Sequence, residues 1–159
     1  LAQPHNILMH RVLRQNVGRG GQDRFLDQRV GFFLGRVFAT IFALIHVESN
    51  GRDEAISRKG ELGCLQISAA VVEDVNRFAG TRYSYDDRLN RQKSIEICRI
   101  YLEHYCSRER LKRDPDPRDY ALVWHFGPKG HLRANEPEAK RYWAKVRAAL
   151  TTQKENSAP

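Results

Sequence analysis

With 159 residues, 41% hydrophobic and 29% charged, the chain has the size and composition of one folded domain that buries a core without metals or disulfides, and is neither disordered nor collagen-like. Lys and Arg outnumber Asp and Glu by 27 to 19, so the surface field favours an anionic partner: nucleic acid, an acidic membrane and bacterial cell wall all qualify. The densest basic run, residues 108–113, has no interleaved aromatics to stack on bases, so it reads as a solvated helix end and no specific nucleic-acid partner is expected.

Residues 1–29 mix polar and basic side chains around Gly18, Gly20 and Gly21, and read as a loosely ordered N-terminal arm with one short helix over 7–15. Leu1 in place of a methionine reads as a processed or trimmed start. No secretory signal is legible, because the first apolar run begins too far in and lacks a small-residue cleavage site. That run, VGFFLGRVFATIFALIHV over residues 30–47, approaches the length of a membrane span. Arg36 in its middle is costly in lipid and Gly31 and Gly35 interrupt it, so a buried core helix running to Ser49 is expected, with no span. Asn50 and Gly51 then turn the chain and leave Glu48 at the helix's C-terminal end.

Residues 56–63 have room for a small β-hairpin at most. Ser68 is the expected N-cap of a second helix, with Val71, Val72, Val75, Phe78 and Ala79 on its inner face and Gly80 as its stop. Asn90 caps a third, whose stripe is Ile95, Cys98, Tyr101, Leu102 and Tyr105. Asp116, Pro117 and Asp119 start a short helix that Gly127 and Pro128 end, delivering Trp124 and His125 near its close. Asn135 with Glu138 starts the last helix, with Ala139, Tyr142, Trp143, Val146 and Leu150 inward, and the polar tail over 151–159 frays. The chain is therefore expected to be mainly α, with one domain over residues 30–150 and no internal repeat. Cys64, Cys98 and Cys106 form no CxxC and the histidines are not spaced for ligation, so neither metal nor cofactor is expected. Cys98 and Cys106 lie too far apart along one helix to pair, so any disulfide involves Cys64.

A glutamate closing an apolar helix is partly desolvated, which favours its neutral, proton-donating form. Taken alone, such a residue is more often a plain helix end. The following stretch, ESNGRDEAISRKGELGCLQI over 48–67, changes that balance. It carries a glutamate-serine pair (Glu48, Ser49), a serine nine residues after the glutamate (Ser57), the Lys59-Gly60 pair and a Gly-x-x-Gln-Ile element (Gly63, Gln66, Ile67). Together, in this order on a helix and the loop after it, these residues resemble the soluble lytic transglycosylase (SLT) family of the lysozyme-like fold. Downstream, ALVWHFGP over 121–128 stands in the place of that family's aromatic-Asn-x-Gly element, but with His125 for the asparagine and Phe126 for a small residue. YWAKV over 142–146 resembles the family's closing tyrosine–valine element, whose tyrosine reaches the active site. The resemblance spans residues 36–150.

It implies a lysozyme-like helical domain that cleaves the β-1,4 bond between N-acetylmuramic acid and N-acetylglucosamine, with Glu48 as sole catalytic acid and base, giving a 1,6-anhydro product. It also implies that Ser57, Gln66, Trp124, His125 and Tyr142 bind substrate, and that the partner is the peptidoglycan strand in a bacterial cell envelope, periplasmic or secreted, met by a monomer. Each residue has a plainer reading: Ser57 a turn serine, Gln66 the start of a helix, Trp124 a core aromatic, His125 a satisfied helix-end histidine. Trp143 is taken as a core aromatic and Glu61 as exposed. Two other functions remain open. A lysozyme-type hydrolase (muramidase) would need a second carboxylate, for which Asp53, Glu54 and Asp86 are the candidates. A non-catalytic glycan-binding module of the same fold would need none.

Overall fold

A computed structural model describes residues 24–156, which are helical with irregular connections. Helices α1 (Arg24–Ser49), α2 (Ala69–Ala79), α3 (Arg91–Tyr105), α4 (Arg108–Leu111), α5 (Pro117–Phe126) and α6 (Pro137–Asn156) follow in order, with 3-10 turns at Tyr85–Leu89 and Gly130–Arg133. Helix α1 starts at Arg24 instead of residue 30; the rest of the expected arm, with its short helix, lies outside the described residues. From Arg36 onward the chain makes one compact unit.

In that unit α1 is the central element. Val37, Phe38, Ile41, Ala43, Leu44 and Ile45 are all buried, on several sides of the helix, as expected for a sequence apolar all round. The one buried hydroxyl among them, Thr40, is satisfied by donating to the Arg36 carbonyl at 2.8 Å. No helix among the described residues is long and apolar enough to cross a membrane.

The caps follow local sequence chemistry. Ser68 Oγ accepts from the Val71 amide at 3.3 Å and Gly80, in the left-handed region at φ 66°, closes α2. Asn90 Oδ1 accepts from the Lys93 amide at 3.0 Å and starts α3. Asp116 and Asp119 form a reciprocal capping box around Pro117, the first residue of α5. Buried Asp119 is further held by both guanidinium nitrogens of Arg113 at 2.6 Å, so the end of the basic run is a structural anchor and not only a solvated surface.

Two boundaries differ from expectation. Helix α6 begins at Pro137, not at an Asn135 cap: the Glu136 carbonyl accepts the first bond, from the Lys140 amide at 3.0 Å, and proline fits the first helical position because its missing N–H would go unused there. It then continues through Asn156, past the expected tail at 151, with Thr151 and Thr152 hydroxyls bonding back to the carbonyls of Arg147 and Ala148. The hairpin reduces to isolated bridges, Ile56 with Leu62 and Leu62 with Ile67. Cys64, Cys98 and Cys106 are buried and free, so no disulfide forms among them. Burial pushes the Cys64 thiol up to about 11, which keeps it protonated and unreactive.

Candidate active site

The site starts from the end of α1. Ser49 is buried, and its hydroxyl donates to the Cys64 carbonyl at 2.8 Å while its oxygen accepts the Arg52 amide at 3.1 Å. That side chain ties the returning loop to the turn after Glu48, a role unassigned when it is read only as half of a glutamate-serine pair. The loop over 50–68 has its own internal framework. Ser57 Oγ accepts from the amides of Lys59 and Glu61 at 3.2 and 3.1 Å, which leaves the hydroxyl proton available to a ligand. Gln66 sits in the left-handed region at φ 51°, outside any helix, and its side-chain nitrogen donates to the carbonyls of Ala55 and Gly63 at 3.2 and 2.8 Å. Its amide thus holds the loop in shape. Glu61 is half-buried.

Arg88 secures the loop from the other side, and sequence reasoning missed it. Although charged, it is only 7% exposed, and its guanidinium donates to the Tyr85 and Ile67 carbonyls at 2.6 and 3.1 Å and to that of Gly60 at 3.4 Å. A basic residue in a polar turn gives no local sign that it will be buried; two of the three carbonyls that receive it come from loop segments twenty-one and twenty-eight positions away.

Glu48 itself is half-buried as a residue, with its side chain only 16% exposed. Tyr142, buried on α6, donates its hydroxyl to Glu48 Oε1 at 2.5 Å across 94 residues of sequence. Burial first, and the Glu48 charge second, push the Tyr142 phenol far above the usual tyrosine value, so it remains a donor throughout the working pH range. His125, at the end of α5, places Nδ1 at 3.8 Å from the same Oε1, and its ring stacks on Tyr142 with centroids 3.9 Å apart and planes at 17°. Phe126 stands edge-on to His125 at 4.6 Å, and Arg133 lies over the Phe126 ring at 4.3 Å. Three helices therefore converge on one carboxyl group.

The other residues singled out from sequence make their contacts elsewhere. Trp124 is half-buried and stands edge-on to Tyr101 of α3 at 5.8 Å, which braces α5 against α3. Trp143 is half-buried, and with Arg118, Arg147 and Leu150 it lines a separate groove of about 450 Å³ between the start of α5 and α6. Among the candidates for a second carboxylate, Asp53 is engaged by Arg91 at 3.0 Å, while Glu54 and Asp86 are exposed.

In a comparison with known families, residues 36–113 match the family described as Transglycosylase SLT domain. No curated protein matches the chain. The matched segment contains Glu48, Ser57 and Gln66 and ends before α5 and α6, which supply His125 and Tyr142.

Proposed function

Residues 36–113 belong to the transglycosylase SLT family of the lysozyme-like superfamily, and from that premise we propose that this chain is a peptidoglycan lytic transglycosylase with Glu48 as its single catalytic acid and base. The observation that carries the reading is the 2.5 Å bond from Tyr142 to Glu48 Oε1. A hydroxyl that always donates keeps Oε1 as an acceptor, so the transferable proton resides on Oε2. Oε1 orients the group; Oε2 performs the chemistry.

In the proposed reaction Oε2 gives its proton to the glycosidic oxygen between N-acetylmuramic acid and N-acetylglucosamine. The C1–O bond breaks and positive charge develops at C1 and the ring oxygen. The muramoyl 6-hydroxyl oxygen then bonds to C1, and its proton returns to the Glu48 carboxylate, which restores the enzyme. No water is consumed, and the products are an N-acetylglucosamine-terminated strand and a 1,6-anhydro end. Ser57 has the free proton needed to hold the substrate's N-acetyl carbonyl, while Gln66 contributes by holding the loop that presents Ser57. The engagement of Asp53 by Arg91 favours the single-carboxylate route, because a water-activating base would have to give up that partner. Action on peptidoglycan places the protein outside the cytoplasm.

Digestion of purified peptidoglycan with mass analysis of the released muropeptides tests the reaction. Anhydro ends are expected; products heavier by one water would establish a muramidase instead, and no release would leave a binding module. A second test concerns the tyrosine. Tyr142→Phe removes a charge-assisted hydrogen bond worth about 1.5–3 kcal/mol. The loss falls mainly on kcat, by about 10- to 100-fold. An unchanged kcat would show that Oε1 needs no such anchor.

A further inference from the structure

The end of α5 carries an imidazole whose face stacks on Tyr142 and whose Nδ1 lies 3.8 Å from Glu48, with the side chain 37% exposed. We propose that His125 is a positioning residue that acts through Glu48 and Tyr142, holding the phenol at Oε1 and stabilising the Glu48 carboxylate at the moment its proton leaves. The inference rests on the lytic transglycosylase reading of this site and adds a role different from sugar binding.

The ring face is the first part of the argument. Stacking on Tyr142 at 3.9 Å, with Phe126 edge-on at 4.6 Å, leaves the phenol little freedom to swing away from Oε1. The ring edge is the second. Nδ1 lies 3.8 Å from Oε1, close enough for Coulombic attraction and too far for a direct hydrogen bond. The charged and titratable groups around the ring are Glu48 from α1, Tyr142 from α6 and, beyond Phe126, Arg133 from the 3-10 turn. Arg133 is engaged by Glu136 at 2.7 Å and Glu138 at 3.6 Å, which offsets its repulsion of an imidazolium.

An imidazolium with Nδ1 at 3.8 Å from Oε1 lowers the energy of the carboxylate left behind when Oε2 protonates the glycosidic oxygen, and an asparagine at this place would bring no such charge.

The kcat and KM for anhydro-muropeptide release are measured for the wild type, His125→Asn and His125→Gln, with thermal unfolding to establish that each is folded. The expected result is a kcat about tenfold lower with KM within about twofold in both variants. A raised KM with an unchanged kcat overturns the proposal and makes His125 a sugar ligand. Unchanged constants overturn it also. Failure of the underlying reading looks different, because the wild type itself would then release no anhydro product.

Discussion

Glu48→Gln is expected to abolish anhydro-muropeptide release, by about 10³-fold or more, while the protein unfolds at nearly the wild-type temperature. The substitution changes one atom of a side chain that is only 16% exposed, and the amide oxygen still accepts the Tyr142 hydroxyl that now bonds Oε1 at 2.5 Å. Shape and anchoring are therefore retained. What is lost is the acidic proton, since an amide neither protonates a glycosidic oxygen nor recovers a proton from the 6-hydroxyl. General acid–base catalysis by one group is worth about 10²–10⁴-fold, and in the proposed reaction the same group serves in both halves, which places the expected loss toward the upper end. Quantitative mass analysis of soluble muropeptides, alongside thermal unfolding, measures both sides. Appreciable anhydro product from a folded Glu48→Gln protein would remove Glu48 from the chemistry.

Gly63→Ala is expected to carry the largest stability loss of any single methyl group added to the loop. Gly63 occupies φ 79°, a region that costs an L-residue about 1–2 kcal/mol. A Cβ built there would lie 1.8 Å from the Arg88 carbonyl oxygen, so backbone must move. Neither side yields easily. The Gly63 amide donates to the Ala55 carbonyl at 2.8 Å and its own carbonyl accepts from Gln66, while the Arg88 carbonyl accepts from the Ser94 hydroxyl at 2.6 Å. Overpacking against fixed backbone adds about 1–3 kcal/mol, for a total of about 2–5 kcal/mol. In a domain of this size that lowers the unfolding temperature by about 4–20 °C, readable by calorimetry or urea titration. A loss under about 1 kcal/mol would mean that the loop is not held against the 3-10 turn in the way described.

Gly130 makes the same kind of approach at the other end of the site, where an added Cβ would lie 1.9 Å from the Leu122 carbonyl oxygen. The 3-10 turn there carries Arg133 over Phe126, and so helps set the wall behind His125. In sequence Gly63 stood out only as part of the Gly-x-x-Gln-Ile element and Gly130 not at all, because the carbonyl that each avoids comes from a different part of the chain.

The candidate site was legible to different depths. Glu48 and the loop motif were visible because the residues that hold them together are close in sequence: Ser49 reaches Cys64 and Gln66 reaches Ala55 and Gly63 within fifteen positions. Gln66 was expected to hydrogen-bond both in the cleft and to the loop around it, and its side-chain nitrogen holds the loop through the Ala55 and Gly63 carbonyls. Trp143 was assigned to the core, yet it lines a groove separate from Glu48. The helical register distinguishes it from its neighbour Tyr142, and a rotation of one residue carries a side chain about 100° around the axis.

From the amino-acid order alone came what local chemistry decides: mainly helical elements, the caps at Ser68, Asn90 and Asp116, and an apolar helix ending in a glutamate; the SLT-type loop was legible through its resemblance to that family. Caps, periodicity and glycine stops act over a few residues, so they are written where they act. Packing decided the rest. It buried Arg88 among carbonyls, reserved one oxygen of Glu48 for Tyr142 and laid His125 flat on that tyrosine. These contacts join segments that share no turn or strand, and only the closing of the chain around α1 brings their atoms within reach.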